Sequence, residues 1–189
     1  MKVFMVLGSR NPQGQTAKAA ETFSSGITGE GGFVEKALLP LMKIERCRQC
    51  EDSGYGDCKK VGRCIIGDDF SSLVDKVLQS DAAVFVNPVY FGDLSESLRA
   101  FLDRLRRVTR HPPTQHRIKG KPAIGICVAG GSGNNAPAST VSLEKVLTHC
   151  GFEVLDLIPA RRQNLEMKLS VLKITGQWLA RNYPSGLTK

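Results

Sequence analysis

A chain of 189 residues with 41% hydrophobic and 23% charged residues has the makeup of one globular domain with a sizeable core. No apolar run approaches the ~20 residues that a membrane-crossing helix needs, and the apolar start at residues 3–7 is too short for a signal peptide, so a cytoplasmic protein without a membrane partner is expected. The formal charge of +8 suits anionic ligands or acidic partners; with 6% aromatics and no zinc-finger or RNA-binding aromatic spacing, nucleic acid is not expected.

Strand-like apolar runs alternate with amphipathic stretches along the chain. Residues 3–7 read as a first strand, and residues 15–25 as a helix with Ala19, Ala20 and Phe23 on one face. Residues 33–39 form a second strand. After a cysteine-rich loop at about 44–67, Asp68-Asp69 opens a helix that buries Phe70, Leu73, Val74, Val77 and Leu78. Residues 82–86 make a third strand, ended by Asn87-Pro88. Ser95 caps a helix with Leu98, Phe101, Leu102 and Leu105 at helical spacing. Residues 123–128 are a fourth strand, 138–149 a helix ended by Gly151, 152–158 a fifth strand and 165–179 a closing helix.

Five strands separated by helices imply an α/β fold, a doubly wound parallel sheet in the order 2-1-3-4-5, forming a single domain over 1–189. Ligands in such sheets bind beyond the carboxyl ends of the strands, which directs attention to the loops after strands one, three and four.

Gly8-Ser9-Arg10-Asn11-Pro12-Gln13-Gly14-Gln15-Thr16-Ala17 joins a buried strand to a helix start, where small and hydroxyl residues and the helix dipole suit an anion. Gln15 stands where a Walker loop has lysine, and the GxGxxG turn is absent. Taken alone, the segment is equally an ordinary polar helix start. Pro88-Val89-Tyr90-Phe91-Gly92 offers flat apolar surface and a tight backbone turn, although Tyr90 and Phe91 read equally as core aromatics. Ala129-Gly130-Gly131-Ser132-Gly133 presents adaptable backbone N–H groups, or is a flexible surface loop.

Together these loops resemble the NAD(P)H-dependent FMN reductases and flavodoxin-like oxidoreductases, through Gly8–Ala17, which is similar to that family's GSxRxxxxT phosphate loop, a PVYFG segment at 88–92 and a following helix reading SESLRAFLDR at 95–104. The resemblance implies a flavodoxin-like fold in which Ser9, Arg10, Gln15, Thr16 and Ala17 hold the FMN phosphate. Pro88, Val89, Tyr90, Phe91 and Gly92 would lie against the flavin, and Gly130 and Gly131 would approach its ring. Hydride would pass from NADPH or NADH to the flavin, a step that needs no acid–base side chain, so no catalytic residue is named.

Cys47, Cys50, Cys58 and Cys64 place four thiols within eighteen residues. In a reducing compartment such crowding points to metal or redox chemistry rather than a disulfide framework. A 4Fe–4S cluster, zinc, and free or transiently oxidised thiols all fit the spacing. The Cys-x2-Cys start and the GRCII-x-DDF sequence resemble the iron–sulfur flavoprotein branch of the family, which implies a cluster near FMN. Ser53 stands where that branch has its third cysteine, so Cys58 must fold back, helped by Gly54 and Gly56. Cys127 and Cys150 read as small buried residues, and His111, His116 and His149 as lying away from the thiols.

Arg104, Arg106, Arg107, Arg110, Arg117, Lys119 and Lys121 form a basic stretch, read as a solvated helix end or as a landing site for an anionic partner. The resemblance further implies a homodimer or homotetramer and, as acceptor, free flavin, a quinone or a ferredoxin-like carrier. A flavodoxin-type electron carrier and a zinc-stabilised binding module are the alternatives.

Overall fold

A strand buried on both faces must be apolar along nearly its whole length, and three of the five strands here are, with Lys2 and Asn87 their only charged or amide residues. The computed structural model describes residues 1–112 and 115–184. Strands β1 (Lys2–Leu7), β2 (Phe33–Leu38), β3 (Ala82–Pro88), β4 (Pro122–Ala129) and β5 (Glu153–Arg161) are all parallel and lie in the order β2-β1-β3-β4-β5, as expected. The helices among the described residues are α1 (Gln15–Gly29), α2 (Asp57–Lys60), α3 (Phe70–Gln79), α4 (Glu96–Thr109), α5 (Gln115–Ile118), α6 (Ala136–Cys150) and α7 (Leu165–Asn182).

Side chains alternate across the sheet with the period of two that a pleated strand imposes. Val3, Met5, Val84, Val86, Ile124 and Ile126 pack with Phe23 and Ile27 of α1 and Leu169 and Leu172 of α7. Their neighbours Phe4, Val6, Phe85 and Cys127 pack on the opposite face with α3, α4 and α6. Helices α1 and α7 approach so closely that a Cβ on Gly26 would collide with the Lys173 carbonyl, and one on Gly176 with the Phe23 carbonyl.

Strand β3 runs further than its apolar run, pairing Asn87 with Cys127 and Pro88 with Val128. Pro88 has no N–H to donate, and Val89 supplies the next bond, to the Val128 carbonyl at 2.9 Å. Helix α6 starts at Ala136, earlier than its apolar spacing shows, because Pro137 is accommodated in the first turn. It ends at Gly151, whose φ of 100° is left-handed and whose N–H reaches the Leu147 and Thr148 carbonyls. The short helices α2 and α5 lie within segments read as loops.

Candidate functional site

The carboxyl ends of β1, β3 and β4 open onto a cleft of about 700 Å³. Ser9, Arg10, Gln15 and Thr16 line it from the first loop, Pro88, Val89, Tyr90 and Phe91 from the second, and Gly130 and Gly131 from the third. Ten residues singled out from three separate segments therefore meet in one place. Two do not line it. Ala17 points into the core under α1, and Gly92 lies behind the loop against Asn135.

On one side the cleft has a helix start with no acceptor of its own. Gly14 caps α1 without a side-chain hydrogen bond, and no acidic residue occupies the first turn. The positive end of the helix dipole is thus uncompensated there. Ser9 and Thr16 are buried, while Arg10 is exposed and makes no ion pair among the described residues. The Gln15 Oε1 atom is buried without a hydrogen-bond partner, and a Cβ on Gly130 would stand 3.3 Å from it. The first and third loops therefore come into close contact there, where a larger residue at 130 would crowd the Gln15 side chain.

The opposite wall is a two-residue turn. Tyr90 and Asp93 exchange backbone hydrogen bonds at 3.2 and 3.0 Å, and Phe91 and Gly92 take φ values of 48° and 81° between them. Two left-handed residues in succession characterise a type I′ turn. It holds the Phe91 ring fully in solvent and the Tyr90 ring half out, which excludes the reading of either as core.

Polar groups, with Asn87, Ser95 and Ser139 buried among them, fix these loops from behind. Asn87 Oδ1 accepts the Ser95 N–H at 2.9 Å, and Asn87 Nδ2 donates to Ser139 Oγ at 3.0 Å. Ser95 caps α4 as expected, accepting the Leu98 N–H at 3.4 Å. Ser97 Oγ donates to the Gly8 carbonyl at 3.3 Å. Gln163 Nε2 donates to the Ser132 carbonyl at 2.8 Å and ties the glycine loop to the turn after β5. Burial pushes Asp93 up, but the Leu94 N–H, Ser142 and Arg99 outweigh it and hold its carboxyl below the ordinary range. The motif reading missed the bracing roles of Asn87 and Gln163, because Ser139 and Ser132, which they reach across to, lie 52 and 31 residues away.

A second, smaller cavity of about 20 Å³ collects Cys47, Cys50, Cys58 and Cys64 with Arg104 and Arg107 of α4. The loop does double back at Gly54, in the left-handed region with φ 72°, and Gly56 packs against Cys50. Cys58 faces the same cavity as the other three. Among the described residues, however, no three acidic, histidine or thiol side chains converge as ligands of a single ion.

The surroundings of this loop differ from expectation in several respects. Arg104 is not solvated: its side chain is 1% exposed and pairs with Asp68, at 0%, through two hydrogen bonds of 2.6 and 2.9 Å. Asp68 also accepts the Glu45 N–H at 2.8 Å and the Phe70 N–H at 3.2 Å, so it pins the cysteine loop to α4 besides opening α3. Lys121 is buried too, its Nζ donating to the Ser80 carbonyl. His111 packs edge-on against Tyr55 with ring centres 5.4 Å apart, so one histidine does lie beside the cysteine loop, outside its cavity lining. Ile66 is buried, whereas Val61 and Ile65 are exposed. Cys127 and Cys150 are buried as expected, and desolvation pushes their thiols up to about 11 and about 12, which leaves them unreactive.

Comparison with known proteins places this geometry in context. The family model for NADPH-dependent FMN reductases matches residues 1–159. An iron–sulfur flavoprotein of Methanocaldococcus jannaschii is 30% identical over 131 residues, which cover 69% of this chain and 65% of that protein. One from Archaeoglobus fulgidus is 32% identical over 133 residues, covering 70% of this chain and 56% of the relative. The chain thus spans less than two thirds of the length of either. Among solved structures, the NAD(P)H:quinone oxidoreductase from Methanothermobacter marburgensis superposes with a TM-score of 0.70 at 18% identity, covering 95% of this chain and 96% of its own, a likeness of fold. No described helix is long and apolar enough to cross a membrane. Since the family match runs from the first strand through nearly all of β5 and takes in all three cleft loops, the chain belongs to the NADPH-dependent FMN reductase family.

Proposed function

We propose that this chain is an oxidoreductase that binds FMN in the 700 Å³ cleft and passes electrons from NADPH or NADH to a small acceptor or a ferredoxin-like protein. One observation carries the reading: an anion-binding helix start and a wall of exposed aromatics face each other across the ends of three strands. The unpartnered Gln15 Oε1 and the close approach at Gly130 fit a flat, hydrogen-bonding ligand. When bound, FMN supplies the chemistry of accepting a hydride and releasing electrons. The chain's own residues do the rest. Ser9, Thr16 and the α1 N–H groups hold the phosphate, and Arg10 adds a charge-assisted contact. Tyr90 and Phe91 shield the ring, and the backbone at Gly130 and Gly131 orients it.

The cysteine cavity is read as the site of a 4Fe–4S cluster. Four thiols line one cavity together with Arg104 and Arg107, whose positive charge suits an anionic occupant. A cluster takes its thiolates around a core, and four cysteines lining one cavity supply the number of thiolates it needs. The cavity holds about one water as it stands, so the loop at 47–58 would open to admit a cluster. Glu96 lines the FMN cleft and Arg104 the thiol cavity, eight residues apart on α4 and so about 12 Å along its axis at 1.5 Å per residue.

A homo-oligomer is part of the same proposal. Met167, Val171, Ile174 and Trp178 form an exposed apolar stripe on α7, spaced symmetrically about its midpoint, so an antiparallel copy would match Met167 to Trp178 and Val171 to Ile174. Anaerobic purification tests the whole proposal, with flavin extraction, iron, sulfide and zinc analysis, and reduction by each nicotinamide. Stoichiometric FMN bleached by NADPH or NADH is expected. FAD, or no flavin after reconstitution with FMN, would overturn the cleft reading, and zinc in place of iron would overturn the cluster reading.

A further inference from the structure

The turn at the mouth of the cleft holds one aromatic ring clear of the rest of the chain. Phe91 takes φ 48°, in the left-handed region, and Gly92 follows at 81°. A type I′ turn favours Asn and Gly at these two positions, and a bulky side chain in the first is held there at a conformational cost. Packing does not offset that cost, because Phe91 is 111% exposed, more than any other large hydrophobic among the described residues. The turn is also braced against relaxing. Tyr90 and Asp93 close it from both sides, the Leu94 N–H donates to Asp93 Oδ1 at 2.8 Å, and Arg99 pairs with Asp93 at 2.6 Å. Gly92 sits so near Asn135 that a Cβ there would stand 2.9 Å from its Nδ2.

We propose that Phe91 is a specificity-determining residue whose open ring face receives a flat, uncharged aromatic acceptor of the naphthoquinone class. The proposal deepens the reading of the cleft as an FMN site and rests on it. Tyr90, half out of solvent beside it and with ordinary backbone, already supplies a flat wall, so covering a bound flavin does not by itself call for a second ring in a left-handed position. Both residues line the cleft, as do Pro88, Val89 and Gly131, and none of the five carries a charge. Flat apolar rings gain from offset stacking on such a surface beyond the area they bury. The tip of the turn thus gives up fold stability for acceptor binding, a relation common where backbone strain sits at a functional site.

The experiment compares wild-type protein, Phe91→Asn and Phe91→Tyr, each saturated with FMN and with its flavin content measured first. Asparagine suits the left-handed position and has no ring; tyrosine keeps both the ring and the cost. Equilibrium dialysis of the oxidised proteins gives dissociation constants for menadione, a flat naphthoquinone, for camphorquinone, a diketone on a globular cage, and for NADP+. The menadione constant is expected to rise about tenfold in Phe91→Asn and to stay within about twofold of wild type in Phe91→Tyr, with camphorquinone little changed in both. Urea titration of Phe91→Asn should show the folded-to-unfolded ratio rising about fivefold. An unchanged menadione constant, an equal rise for camphorquinone, or a loss confined to NADP+ would overturn the inference. So would loss of FMN from Phe91→Asn, which assigns the ring to the flavin, or a fall in its mass by light scattering, which assigns the ring to a second copy of the chain. A urea midpoint at or below that of wild type would overturn it too, because the ring would then help to hold the turn. Wild-type protein that takes up no FMN would overturn the cleft reading, and this inference with it.

Discussion

Asp68 serves three neighbours with a side chain that has no solvent contact, so removing its charge has a large effect. Asp68→Asn should destabilise the fold by about 3–5 kcal/mol, because Arg104 would keep a buried charge without a counterion. Burial alone would push Asp68 up, but the bonds from Arg104, Glu45 and Phe70 outweigh it and hold its pKa below the usual range. The ionised form is therefore favoured by folding. Its stabilisation is complete above about pH 4 and is lost as pH falls through the depressed folded value. Urea titrations at several pH values should show that acid loss in wild type and a shallower one in Asp68→Asn. In the cleft, Arg10→Ala and Thr16→Ala should each weaken FMN binding by about 1–3 kcal/mol, measured by flavin fluorescence quenching; unchanged affinity in both would remove the phosphate loop from the site. Residues such as Arg10 and Thr16 are legible in sequence because one short segment carries both the strand end and the helix start. Arg104 is not legible in that way. It stands in a run of surface-like charges, and only Asp68, 36 residues earlier, reveals that it is buried.

Helices α1 and α7 meet through glycines, and two opposing effects can be weighed there. Gly176→Ala would gain up to about 1 kcal/mol of intrinsic helix propensity. It would also drive a methyl group into the Phe23 carbonyl, and overpacking of this kind typically costs about 1–3 kcal/mol, more against rigid backbone. A net loss of stability is expected; a urea midpoint equal to or above that of wild type would show that the helices separate freely. Strands and helices as elements were readable, since an apolar run buried on both faces, or an apolar stripe at helical spacing, leaves its period in the chain. Their ends were less so. Asn87 and Pro88 look like a strand terminator, yet the ladder continues because Val89 supplies the next donor. The Gly26–Gly176 contact leaves no local trace at all, because it exists only once two distant helices are packed together.

At the scale of the whole molecule, the α7 stripe predicts that Ile174→Glu lowers the apparent mass in multi-angle light scattering while leaving FMN binding in place. A wild-type protein that is already monomeric at high concentration would sink the oligomer proposal. Truncation after Arg161 should leave a protease-sensitive chain that retains no FMN, because Val3, Met5, Val84 and Ile124 would lose the cover of Leu169 and Leu172. The pairing of the first described helix with the last also has a consequence for synthesis. β1 is made first and lies inside the sheet, but the layer that covers its α1 side is finished only when α7 has left the ribosome. At about 5–20 residues per second, the nascent chain carries that incompletely covered apolar face for roughly ten to thirty seconds, a window in which chaperones can bind it.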